Sequence, residues 1–121
     1  MYGQFVDRHC RTLPGAKADR PFGPDTVVWK IGGKMFAAYT WGGRGVSLAV
    51  RDGVEAQRLI QAGQAESAPY LLRGGWILMA WENSTPDELR ERITGSYERI
   101  RSHLPAEVEL TLPPLDDETP H

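Results

Sequence analysis

The sequence predicts an α+β fold, in which N- and C-terminal helices pack on one face of an antiparallel β-sheet of about five strands. Two runs rich in β-branched and aromatic residues, 27–31 and 34–41, flank the pair Gly32-Gly33. Tight hairpin turns need positive φ angles, which glycine adopts without a steric penalty. Apolar residues at helical spacing precede and follow the strands, at 3–13 and 89–104. Helices at both ends of a meander bury their apolar stripes on the sheet.

The first half of the chain is predicted to form one helix and three strands. The helix covers residues 3–13 and ends at Leu13-Pro14-Gly15, because proline cannot continue a helix. Residues 16–24, with two prolines, are predicted to form a loop. The strands are predicted at 25–31, 34–41 and 45–51, with a second Gly-Gly turn at Gly42-Gly43.

The second half is predicted to contain a short helix, a hairpin and a long helix. The short helix covers about 53–62, and the hairpin joins Tyr70-Leu71-Leu72 to 76–81 through Gly74-Gly75. Thr85-Pro86-Asp87-Glu88 has the pattern of a capping box with proline at the first helical position. The long helix therefore begins there, and Pro105 ends it.

One domain is predicted over residues 1–105, followed by an acidic, proline-rich tail over 106–121 that we expect to be mostly disordered. The alternation of apolar and polar residues at 108–112 favours, as an alternative, an edge strand. Residues 1–53 carry eight Lys and Arg against four Asp, whereas five acids and no Lys or Arg lie beyond Leu104. Without the tail the net charge is +3, so the sheet region is more basic than the whole chain.

The chain has no apolar run of the roughly 20 residues needed to span a bilayer and no signal-peptide pattern. Its single cysteine, Cys10, excludes an intrachain disulfide. We therefore expect a cytoplasmic protein without a membrane partner.

The turn at Gly32-Gly33 also predicts which strand residues share a face. A two-residue turn places Trp29 opposite Phe36, with Val27, Ile31 and Ala38 on the same, helix-covered face. The other face is predicted to carry Val28, Lys30, Met35, Ala37, Tyr39, Trp41, Leu48 and Val50. Such a face is too apolar to remain in water, so a dimer partner, the tail or a ligand is expected to cover it. A register error of one residue would exchange the two faces.

Several motifs resemble the MmcQ/YjbR family of small bacterial proteins. They are Cys10-Arg11-Thr12-Leu13-Pro14-Gly15, Pro21-Phe22-Gly23, residues 29–37, Ser47-Leu48, Pro69, Trp76-Ile77, Ser96-Tyr97 and Leu104-Pro105. The resemblance covers residues 5–105 and implies a CyaY/frataxin-like fold. It also implies DNA binding through a double wing of hairpins, which has been proposed for the family. Ala49 departs from the family pattern, because many relatives have lysine there, and the acidic tail lies outside it.

The sequence contains no catalytic or metal motif, so we expect neither an enzyme nor a cofactor nor a metal site. His9 and Cys10 are adjacent on a helix and therefore do not face each other, and Cys10 is expected to be a buried structural residue. The first helix offers Asp7 beside Arg8 and lacks the clustered carboxylates that iron requires. Gly32-Gly33-Lys34 lacks the longer glycine loop and the following helix of a phosphate-binding loop.

Two sets of residues are candidates for binding. Cations at hairpin tips contact phosphates without regard to sequence, which predicts weak binding to double-stranded DNA, although charged turns are also common in any soluble sheet protein. The cationic set is Arg20, Lys30, Lys34, Arg44, Arg51 and Arg73. Aromatic residues on the open face predict, as an alternative, a small aromatic ligand or a homodimer contact. The aromatic set is Tyr39, Trp41, Tyr70 and Trp81.

Overall fold

A computed structural model describes residues 2–68 and 75–114, which form one sheet and a set of helices. The helices are α1 (Tyr2–Arg11), α2 (Gly53–Gln61), α3 (Pro86–Ser102) and the single turn α4 (Ala106–Glu109). The strands are β1 (Lys17–Asp19), β2 (Thr26–Ile31), β3 (Lys34–Thr40), β4 (Gly45–Ala49), β5 (Glu66–Ser67) and β6 (Trp76–Ala80). A short 3-10 helix, Trp81–Asn83, follows β6.

The predicted fold class is confirmed. The six strands pair antiparallel in the order β1-β2-β3-β4-β6-β5, and α1, α2 and α3 all contribute side chains to one core. Thr85 caps α3 with the predicted capping box, in which Glu88 is the reciprocal partner. The short edge strands β1 and β5 were not predicted, because three and two residues are too few to show a strand pattern. The predicted strand at Tyr70-Leu71-Leu72 and Gly74 lie outside the described residues.

The two Gly-Gly turns differ from each other. Gly32 and Gly33 both have positive φ, +59° and +83°, so the predicted two-residue turn between β2 and β3 is confirmed. The second connection is a four-residue loop, 41–44, in which Gly42 has positive φ but Gly43 does not. The prediction of the same tight turn at Gly42-Gly43 was therefore wrong.

The predicted register of the first hairpin was also wrong by one residue beyond its turn. Lys30 pairs with Met35, but Trp29 pairs with Ala37, so Phe36 is the extra residue of a β-bulge. Phe36 still points into the core, where its ring meets Tyr97 edge-on. Beyond the bulge the two faces exchange. The prediction was wrong for Ala37, Tyr39, Trp41, Leu48 and Val50, which lie on the helix-covered side, and for Ala38, which lies on the open face.

The hydroxyl of Ser96 on α3 satisfies the backbone groups at the bulge. It donates to the carbonyl oxygen of Phe36 over 2.6 Å and accepts from the backbone N–H of Ala49 over 2.9 Å. Ser96 is 1 % exposed, so neither backbone group has water as a substitute partner. This side chain therefore joins α3 to two strands, β3 and β4.

The carboxylate of Asp7 joins α1 to the same sheet. It accepts from the indole N–H of Trp29 and from the phenol of Tyr39, each over 2.9 Å. Burial and this hydrogen bond raise the pKa of Tyr39. Gly3 lies one turn earlier, where a Cβ would come within 2.7 Å of the Tyr39 ring. Together these contacts bring the helix close to the sheet.

Residues 106–114 are folded onto the domain and form the first part of the segment 106–121, which the sequence predicted to be mostly disordered. Arg101 is 4 % exposed and donates to both carboxylate oxygens of Glu109, to the carbonyl of Pro113 and to the phenol of Tyr97. Residues 108–112 do not form the alternative edge strand, and Leu112 packs against the core instead. A buried guanidinium needs such partners, and the segment after Pro105 supplies most of them.

We expect Ser96→Ala to lower the free energy of unfolding by about 3 kcal/mol, because a buried carbonyl and a buried N–H both lose their partner. Urea denaturation measures this change as a shift of the midpoint at constant slope. Ser102→Ala, on the exposed side of α3, is the control and should change it by less than about 0.5 kcal/mol. Equal effects of the two substitutions would contradict the role of Ser96.

We expect Glu109→Gln to lower the melting temperature at neutral pH and to have little effect in acid. Hydrogen bonds from Arg101 hold the pKa of Glu109 below its ordinary value. The stabilisation is thus complete above the ordinary pKa of about 4.3 and is lost as the pH falls through the lower folded-state pKa.

Thermal unfolding from pH 7 to pH 3 measures this pH dependence. Glu107→Gln, which removes an exposed carboxylate from the same turn, is the control. If the difference in melting temperature between wild type and Glu109→Gln stays constant over the whole pH range, the Glu109 carboxylate does not stabilise the fold through Arg101.

Candidate nucleic-acid interface

The antiparallel pairing separates the predicted cations into two groups at opposite ends of the sheet. One end, here the Gly32 end, contains the Gly32-Gly33 turn, the start of β3 and the end of β4. The other, the Gly43 end, contains the loop 41–44. The seven residues of β3 separate the ends by roughly 20 Å, at about 3.3 Å per residue. Successive turns of a meander therefore do not form a single basic tip.

Arg20 and Arg44 lie at the Gly43 end. Arg44 pairs with Glu66 over 2.5 Å, and its side chain is 67 % exposed. Arg20 donates to the carbonyl oxygen of Pro24 over 2.8 Å and so braces the loop between β1 and β2. Lys30 lies on β2 at the Gly32 end, two residues before Gly32, and pairs with Asp19 of β1. The pKa of Asp19 is lowered, first by the N–H of Arg20 and then by Lys30.

Lys34 and Arg51 lie at the Gly32 end and are both exposed. Lys34 is two residues from Phe36, and Arg51 is two residues from Ala49. Ser96 of α3 bonds to the backbone of both Phe36 and Ala49, so the helix meets each strand two residues from one of these cations. Arg73, the remaining predicted cation, lies outside the described residues.

Helix α3 adds two arginines to the same end, which the sequence analysis missed. Arg92 and Arg99 line a cleft of about 180 Å³ together with Arg51, Glu55 and Glu91. The signal was present in the sequence, because residues seven apart lie two turns apart on one helix face. We call Arg51, Arg92 and Arg99 the arginine cleft.

Gly95 forms part of the wall of the arginine cleft between Arg92 and Arg99. A Cβ at this position would meet no atom within 4 Å, so packing within the domain does not require glycine here. Glycine in an exposed helix interior costs about 1 kcal/mol relative to alanine. The missing side chain leaves the helix backbone open to the cleft.

The aromatic candidates Tyr39, Trp41 and Trp81 lie on the α1 side of the sheet, where Trp81 is half-buried and Trp41 is 40 % exposed. Tyr39 is 3 % exposed, and its ring meets Trp41 and Trp81 edge-on at 5.5 and 6.4 Å. Tyr2 stacks on Trp81 at 5.2 Å, and the Trp81 indole donates to the carbonyl oxygen of Gly43. The prediction that Tyr39 and Trp41 line the open face was wrong because of the bulge, and Tyr70 lies outside the described residues.

Comparison with known proteins identifies the family. The sequence model of the YjbR family matches residues 11–99. The chain belongs to the YjbR family. Its fold resembles the crystal structure of Deinococcus radiodurans protein DR2400, which contains a DUF419 domain, with a TM-score of 0.76. The two chains are 23 % identical, and the match covers 96 % of this chain and 92 % of DR2400, which establishes a shared fold. No curated protein matches the sequence significantly.

The thiol of Cys10 and the imidazole of His9, the other reactive side chains of α1 in this YjbR chain, make contacts within the domain. Cys10 is buried in the core, where burial and the nearby Asp7 raise the pKa of its thiol. His9 shares a hydrogen bond with Thr94 over 2.7 Å, and burial and Arg90 lower its pKa. Among residues 2–68 and 75–114, no three His, Cys, Asp or Glu side chains are grouped closely enough to hold a metal ion. No helix in these ranges is long and apolar enough to cross a bilayer.

We expect the thiol of Cys10 to resist labelling by a thiol reagent, Ellman's reagent, in native buffer and to react fully in concentrated urea. Burial blocks access, and the raised pKa keeps the thiol protonated and therefore unreactive. A Gln4→Cys variant, with a second thiol on the exposed side of α1, is the control and should label once in native buffer. Rapid labelling of the wild-type protein would contradict this role for Cys10.

Proposed function

We propose that this YjbR protein is a non-enzymatic, cytoplasmic protein that binds double-stranded DNA weakly and without regard to sequence. The proposed contact is the Gly32 end of the sheet, where Lys34 and the arginine cleft contact phosphates. The proposal places the interface at one end of the sheet, and Arg44 at the other end takes no part in it.

The convergence of three arginines on one cleft is the observation that carries the proposal. Guanidinium groups form paired, planar hydrogen bonds with phosphate oxygens, and phosphate contacts supply affinity that does not depend on sequence. Arg51 comes from the end of β4, whereas Arg92 and Arg99 come from α3. Two separate elements thus bring three like charges to one cleft, where a bound anion would reduce their mutual repulsion.

The carboxylates around the cleft do not cancel this charge. Glu55 and Glu91 face three arginines, and both carboxylate oxygens of Glu55 already have partners. It accepts from the backbone N–H of Arg51 and lies 3.8 Å from the guanidinium of Arg58. Three arginines against two glutamates give the lining a net charge of +1, and Arg51 also lies 3.8 Å from the carboxylate of Asp52. Gly95 leaves room for a backbone phosphate to approach α3 closely.

The chemistry of the domain supports binding rather than catalysis. The thiol of Cys10 is buried and protonated, and His9 is bound to Thr94, so neither is placed as a nucleophile or a base for a substrate. A lone cysteine also suits the reducing cytoplasm. The acids Asp116, Asp117 and Glu118 supply negative charge that competes with DNA for the same cations.

We expect the protein to bind a labelled duplex with a slope of log K against log salt of about −3, which corresponds to three or four phosphates. Fluorescence anisotropy across a salt series measures it. Arg92→Ala and Arg99→Ala should each weaken binding and reduce the slope by about 1. A form ending at Pro114 should bind more tightly than the full chain, and it keeps the partners of Arg101 that a form ending at Pro105 would lose.

Arg44→Ala is the matched control, because it removes the same charge from the Gly43 end. It should leave the slope unchanged.

A Gly95→Ala variant gives a second, independent test, since it should raise the free energy of unfolding by about 1 kcal/mol while weakening DNA binding. Absence of binding by both the full chain and the shorter form at low salt would refute DNA binding. Equal losses of DNA affinity in Arg44→Ala and Arg99→Ala would refute the proposed location of the interface.

A further inference from the structure

The open face of the sheet, opposite α1 and α3, contains a groove of about 350 Å³. Its floor is formed by β2, β3, β4 and β6. The lining includes the apolar residues Val28, Met35, Ala38, Leu78 and Phe22. Cavities that hold small molecules have volumes from about 300 Å³ upwards and are mostly apolar. The groove therefore has the size and the lining of a small-ligand site.

Phe22 stands at the rim of the groove and is 76 % exposed. It lies in the loop between β1 and β2, which the hydrogen bond from Arg20 to the carbonyl oxygen of Pro24 braces. A phenyl ring in water is unfavourable, and closing it over an apolar ligand would remove its surface from solvent. If the Phe22 ring were already buried in the protein, it could not close over a ligand.

Four polar side chains line one part of the groove. The hydroxyls of Thr26 and Thr40 share a hydrogen bond of 3.2 Å, and Ser47 lies on the neighbouring strand β4. Among the described residues, Arg44 provides the only cationic side chain of the lining. Only its Nη2 atom bonds to Glu66 among the described residues. A guanidinium has five N–H donors, so a second carboxylate can bind without displacing Glu66.

We propose that this groove binds a small apolar carboxylate. The carboxylate accepts hydrogen bonds from Arg44 and the neighbouring hydroxyls, and the apolar part lies against Val28 and Ala38 beneath Phe22. A carboxylate is favoured because Arg44 already holds one, that of Glu66, and its planar fork matches two carboxylate oxygens. The site is separate from the arginine cleft, because the two share no lining residue.

The test is an NMR titration of the full chain with octanoate and, in parallel, with its neutral counterpart 1-octanol. We expect saturable shifts confined to the backbone amides of the groove, among them Val28, Ala38 and Ser47. Octanoate should bind about tenfold more tightly than octanol, because a hydrogen bond to a charged group is worth roughly 1.5 kcal/mol. Arg44→Ala should abolish this preference while leaving octanol binding unchanged.

Arg11→Ala removes the same charge from an exposed position on α1 and should preserve the preference for octanoate. Ala38→Leu fills the groove and should abolish binding of both ligands. Phe22→Ala, on an exposed loop, should weaken both equally. Scattered shifts without saturation, or equal affinity for the two ligands, would overturn the proposal. If sedimentation experiments instead reveal a dimer whose contact buries the groove amides, a second copy of the chain occupies the groove. That result would also overturn the proposal.

Discussion

The β-bulge at Phe36 and the hydroxyl of Ser96 that holds it determine how the rest of this molecule is arranged. The bulge adds one residue to β3, so Ala37 and Tyr39 face the helices and Ala38 faces the open groove. A bulge leaves backbone groups without a ladder partner, and burial makes such groups costly. Ser96 satisfies the Phe36 carbonyl and, at the same time, the N–H of Ala49. One side chain thus fixes the register and anchors α3 across β3 and β4.

Both candidate sites follow from this arrangement. Because Ser96 holds α3 against the Gly32 end, Arg92 and Arg99 come to lie beside Arg51, and the arginine cleft forms. Because the aromatic residues turn towards α1, the open face retains small and aliphatic residues, which leave a groove rather than a ridge. The cleft is cationic and the groove is mostly apolar. They face different parts of the surface and suit different partners.

The segment after α3 depends on a second buried polar group. Arg101 has a lower exposure than any other arginine among the described residues, and its partners come from Tyr97, Glu109 and Pro113. Tyr97 in turn donates to the carbonyl of Pro14, so the network connects α3, the segment 106–114 and the loop between α1 and β1. Removing one partner of a buried ion pair leaves the other charge buried without a partner. The acidic residues at 107 and 109 thus differ in role, because only Glu109 meets the guanidinium.

The sequence by itself determined the fold class, the Gly32-Gly33 turn and the start of α3, and it placed the chain in its family. These features depend on local rules, since glycine permits positive φ and a threonine followed by Pro86 and Glu88 caps a helix wherever it occurs. The tertiary structure decided the rest. A hydrogen bond between residues 60 apart in sequence holds the bulge. The face of Tyr39 and Trp41 follows from the bulge, and the arginine cleft combines two elements. A pattern of residues along one chain contains no information about which distant hydroxyl will reach an unpaired carbonyl, so only the folded molecule could reveal these sites.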